Sequence, residues 1–138
     1  MTDKKSIKQT FIFQSIFTEL EKLDECLNSI EGYKELSEDK QYEIMLVLSE
    51  AVNNAIEHGN EFNSNKKVKL DITLSTECII AEIYDEGPGF NPDKLVNPLE
   101  KKAMLKDHGR GWFLMQHYSS SIEWDDKLKC LRVYLSIE

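Results

Sequence analysis

Glu50 and Asn54 are the first residues to examine for chemistry. They stand polar, at helical spacing, inside the otherwise oily stretch Glu50-Ala51-Val52-Asn53-Asn54-Ala55-Ile56-Glu57-His58-Gly59. Four residues apart, they share one face of a helix, and His58 extends the row. A carboxylate able to accept a proton and an amide oxygen able to ligate a hard cation would then sit one turn apart. Ile44, Val47, Leu48, Ala51, Val52, Ala55 and Ile56 recur beside them at helical spacing and form an apolar stripe. Taken alone, the segment reads equally well as an amphipathic helix with a polar rim.

Two further clusters follow downstream. Ile79 to Tyr84 is a short apolar run with β-branched residues, the mark of a strand, and it ends in Asp85-Glu86-Gly87-Pro88-Gly89-Phe90. An aspartate at a strand end can accept hydrogen bonds from an exocyclic amine. Gly87 and Gly89 let backbone approach a ligand closely, because glycine has no Cβ. The alternative is an ordinary turn punctuated by Gly and Pro. The third cluster is Gly109-Arg110-Gly111-Trp112-Phe113-Leu114-Met115, where glycines lead into an apolar helical pattern. Backbone amides at such a helix start suit phosphate, and Arg110 adds a bidentate donor. A flexible connection before a core helix fits the same residues.

In this order and spacing, the three clusters resemble the nucleotide-binding boxes of the GHKL (Bergerat-fold) ATPases and kinases. Within that superfamily they look most like the bacterial anti-sigma factor serine/threonine kinases. Ser49 to Gly59 is similar to the N box, Asp85 to Phe90 to the first glycine box, and Gly109 to Met115 to the second. The resemblance implies roles for these residues. Glu50 would be the general base toward a substrate hydroxyl, and Asn54 the Mg²⁺ ligand. Asp85 would read the adenine amino group, with Gly87 and Gly89 beneath the base. Gly109 and Gly111 would meet the phosphates of ATP, with Arg110 added on charge grounds alone. Trp112 departs from the smaller residue expected next to the second glycine. The implied activity is transfer of phosphate from ATP to a serine or threonine of an anti-anti-sigma (STAS-domain) antagonist, combined with sequestration of a sigma factor by a homodimer. A nucleotide-binding module that holds a regulator without transferring phosphate is the alternative.

The elements that must position these groups are legible in outline. Thr10 to Phe13 reads as a first strand, and Ser15 to about Ile30 as a helix with Ser15 as cap and Gly32 as stop. Ser37, followed by Glu38 and Asp39, opens a second helix. Val68, Leu70, Ile72 and Leu74 alternate as a half-buried strand, linked by Ser75-Thr76-Glu77 to the next. A third helix ends over Tyr118 to Ser121. Ser121–Trp124 and Cys130–Ile137 then form a closing hairpin, with Leu131, Val133, Leu135 and Ile137 facing the helices. The expected fold is α+β, a two-layer sandwich of a mixed, mostly antiparallel sheet with helices on one face. The 138 residues are expected to form a single domain. The poorly periodic stretch of about 90–108 stands where the family has its ATP lid.

Charge and composition narrow the partners. A net charge of −8 argues against nonspecific nucleic-acid binding and gives no support to a membrane surface. Lys94, Lys101, Lys102, Lys106 and Arg110 offset it locally between the glycine clusters, against Asp93, Glu100 and Asp107. Cys26, Cys78 and Cys130 are far apart and form no CxxC pair, so reduced thiols in a cytoplasmic protein are expected. The start, Met-Thr-Asp-Lys-Lys, carries no leader pattern, and no apolar run is long enough to span a bilayer.

Overall fold

A computed structural model describes residues 6–87 and 114–137 of the chain. The alternating patterns become five strands: β1 (Ile7–Gln14), β2 (Lys67–Leu74), β3 (Cys78–Tyr84), β4 (Ser121–Asp125) and β5 (Cys130–Ser136). They form one sheet in the order β1-β2-β3-β5-β4. Every neighbouring pair is antiparallel, so the described sheet is antiparallel throughout rather than mixed. The short link after Leu74 makes the hairpin expected of it, with β2 and β3 in register from Lys69↔Tyr84 to Leu74↔Ile79.

Period-two alternation fixes which face is buried. Phe13, Val68, Leu70, Ile72, Ile79, Ala81, Ile83, Leu131, Val133 and Leu135 all point inward and are buried. Against them lies α2 (Glu38–Asn54), whose Ile44, Val47, Leu48, Ala51 and Val52 supply the matching stripe. Leu23 and Leu27 of α1 (Lys22–Asn28) and Met115 of the helical residues 114–118 complete the core. Full burial of each large aliphatic side chain stabilises by roughly 1.5–3 kcal/mol.

The other face of the sheet is polar and ordered. Thr10, Asp71, Glu82, Arg132 and Glu123 lie directly opposite one another on successive strands and form a row across all five. Thr10 Oγ1 donates to Asp71 Oδ1 at 2.6 Å, and Arg132 meets Glu82, Glu123 and Asp125 at 2.8–2.9 Å. Hydrogen bonds from the Arg132 and Tyr134 side chains hold the Glu123 carboxyl below its ordinary range.

The start of the chain differs from expectation. β1 (Ile7–Gln14) begins three residues before the expected Thr10–Phe13 and ends one residue after it. A 3₁₀ turn (Phe17–Glu21) precedes α1, where a single helix from Ser15 was expected. Ser15 caps nothing; it is fully buried and its hydroxyl donates to the Lys66 carbonyl. A buried hydroxyl with a carbonyl in reach across the fold bonds to it instead of to a helix terminus. Ser37 does cap α2, accepting from Lys40 N–H at 3.1 Å. Gly32 stops the first helical region, with φ at +92°, which suits glycine.

Candidate functional site

The site is built around the C-terminal end of α2. Glu50 lies on its last turns, half-buried, and lines an open hollow of about 360 Å³ with Leu20, Ser49 and Asn53. Asn54, one turn on, is 3% exposed. Its Nδ2 points to Met115 Sδ at 4.0 Å. The helix then widens into a π turn, Ala55–Gly59, in which Asn60 N–H bonds back to the Ala55 carbonyl. Single π turns inside α-helices cluster at functional sites. The widening also corrects one expectation: beyond Asn54 the four-residue row shared with Glu50 does not continue at α spacing through His58.

The π turn carries Gly59 against the loop after β3. A methyl group at Gly59 would overlap the Asp85 carboxylate, so only glycine permits that packing. A methyl group at Gly87 would in turn overlap the Gly59 carbonyl oxygen. Asp85 Oδ1 accepts the Gly87 N–H at 2.9 Å, closing a tight turn at the strand end. Asp85 and Gly87 therefore stand together against the π turn after α2, Asp85 through its carboxylate and Gly87 through close approach to the Gly59 carbonyl.

The structure thus brings together segments far apart in the chain. The helix of Glu50 and Asn54 meets the Asp85–Gly87 loop through Gly59, and it meets the segment of the third cluster through Met115. Gly89, Gly109, Arg110, Gly111 and the stretch of about 90–108 lie outside the described residues. The sequence reading missed Asn60. It is 1% exposed, its Oδ1 accepts the Glu86 N–H at 2.7 Å, and its Nδ2 donates to Ser15 Oγ at 2.8 Å and to the Lys67 carbonyl at 3.0 Å. Within the sequence it is one polar residue in a polar turn, and only its position after His58-Gly59 sets it apart.

The donor set suits a hard cation. The Asn54 amide oxygen is a hard donor of the kind Mg²⁺ takes. Among the described residues, no three His, Cys, Asp or Glu side chains gather into a metal site. Among the described residues no helix is long and apolar enough to cross a membrane.

The chain is similar in sequence to known proteins. The chain is 36% identical over 89 residues to the anti-sigma F factors of Bacillus subtilis (strain 168) and Bacillus velezensis, a stretch covering 63% of this chain and 61% of each relative. It is 39% identical over 83 residues to the anti-sigma F factor of Bacillus thuringiensis (strain Al Hakam), covering 59% of this chain and 57% of that one. The chain thus spans about three fifths of the length of the curated relatives it matches. The histidine kinase-like ATPase domain matches residues 16–135, nearly the whole chain. With that match, this chain belongs to the histidine kinase-like ATPase domain family.

Proposed function

We propose that this protein is an anti-sigma factor with serine/threonine kinase activity, using ATP and Mg²⁺ to phosphorylate an anti-anti-sigma (STAS-domain) antagonist and sequestering a sigma factor as a homodimer in the cytoplasm. The observation that carries the nucleotide reading is the packing of Asp85 and Gly87 on Gly59 at the end of the helix that bears Glu50 and Asn54. The regulatory part of the reading is supported by the anti-sigma F factors the chain matches.

In this reading the Asp85 carboxylate accepts the exocyclic amine of adenine, with Gly87 beneath the base. Gly89 lies beneath the base as well, and Gly109, Arg110 and Gly111 bind phosphate under a lid of about 90–108. Asn54 holds Mg²⁺ through its amide oxygen. Bound there, the cation would neutralise charge on the phosphate oxygens, with positioning doing most of the rest. Glu50, in its open hollow, receives the proton of the substrate hydroxyl as that oxygen bonds to the γ-phosphorus and ADP leaves. An open hollow suits a base whose partner is another protein's side chain.

The test is to incubate the protein with γ-labelled ATP, Mg²⁺ and a STAS-domain partner from the same genome. Label should reach the partner with wild type and fall by roughly 10²-fold or more with Glu50→Ala. Tight nucleotide binding with no transfer, unchanged by Glu50→Ala, would instead make the protein a binding module.

A further inference from the structure

Asn60 ties together four separate segments. Its amide hydrogens go to Ser15 Oγ at the end of β1 and to the Lys67 carbonyl at the start of β2. Its oxygen takes the Glu86 N–H at 2.7 Å, while its own backbone closes the π turn. Ser15 passes the connection on to the Lys66 carbonyl at 2.7 Å. Glu86 is held from a second side too, since its carboxylate accepts the Lys67 N–H. The backbone that follows is bent against its preference: Glu61 and Phe62 both have positive φ, +51° and +57°. Consecutive left-handed non-glycine residues persist only where surrounding contacts over-determine them.

The Glu86 N–H belongs to the peptide plane that also contains the Asp85 carbonyl and Cα. Fixing that N–H therefore fixes the backbone from which the Asp85 carboxylate projects. Gly59 constrains the same carboxylate from the side. We infer that Asn60 is a positioning residue for base recognition, holding Asp85 at the angle that selects a 6-amino purine over a 6-oxo purine. This rests on the nucleotide reading given above and adds to it a residue that touches no ligand.

Calorimetric titration with ATP and with inosine triphosphate, both with Mg²⁺, tests it. Wild type should prefer ATP. Asn60→Ala should lower the ATP-to-inosine triphosphate affinity ratio about tenfold, within the range of couplings between residues that share a network. Ser15→Ala, which removes one anchor of Asn60, should shift the ratio in the same direction by less. In an Asp85→Asn background, Asn60→Ala should leave the ratio unchanged, because Asn60 acts through Asp85. A merely structural role would lower both affinities together, or only the melting temperature, and keep the ratio. Wild-type ratios in both Asn60→Ala and Ser15→Ala would overturn the inference and leave the nucleotide reading standing. Should Asn60→Ala not fold, the Ser15→Ala ratio decides. A wild type that binds neither nucleotide would remove the nucleotide reading, and this inference with it.

Discussion

The glycines at the site differ in what they protect, and the difference can be measured. At Gly59 an added methyl meets the Asp85 carboxylate, a side chain that can rotate away. At Gly87 it meets the Gly59 carbonyl, which is backbone at the end of a hydrogen-bonded turn and cannot. Gly87→Ala should therefore destabilise by roughly 1–3 kcal/mol, the usual cost of forcing atoms into filled space. Gly59→Ala should cost less stability but displace Asp85 and break its bond to Gly87 N–H. Denaturant titration set beside ATP affinity separates the two: equal losses of stability would contradict the argument. Gly87 was legible in the sequence because it follows a strand and an aspartate. Asn60 was not, since its partners lie 45 and 26 residues away in the chain and leave no periodic trace.

Helix α2 is the element that sets the site, and its two ends were unequally legible. Its start is written in Ser37-Glu38-Asp39: the hydroxyl accepts from Lys40 N–H, and the acids face the positive end of the helix. Ser37→Ala should cost about 1 kcal/mol of global stability, read from the urea midpoint with the slope unchanged. An unshifted midpoint would mean that the cap is not coupled to folding. The other end gives no such sign, because Ala55-Ile56-Glu57 continues a helical pattern through the residues that widen. The π turn is closed by its own Asn60 N–H to Ala55 O bond and is held from outside by the Asn60 side chain, which bonds Ser15, Lys67 and Glu86. Ser15 misled for a related reason. Its hydroxyl reads locally as a cap, yet its partners are Lys66 and Asn60. The alternating strands were the most legible elements, because one residue of slip would turn their apolar side to water.

At the scale of the molecule, a sheet covered on one face gives one core, and a titratable group buried in it reports on folding as a whole. Tyr33 is such a group. It is 2% exposed between α1 and α2, and its hydroxyl donates to the Gln41 carbonyl at 3.1 Å. Burial, aided by the charge of Asp24, pushes its hydroxyl up to about 12 from an ordinary 10.0. The raised value favours the protonated form in the folded state, so the unfolded chain binds fewer protons above pH 10. The stabilisation is thus complete below pH 10 and is lost as pH rises toward 12, by roughly 2–3 kcal/mol. Tyr33→Phe should lose about 1 kcal/mol at neutral pH, with the hydrogen bond gone, but fall less steeply in alkali. The two stability curves should then cross between pH 10 and 12. Tyr84 and Cys130 are also raised, chiefly by burial, and keep some alkaline slope in the variant. Parallel curves from chemical denaturation across that interval would show that Tyr33 ionises as freely in the folded protein as in the unfolded chain.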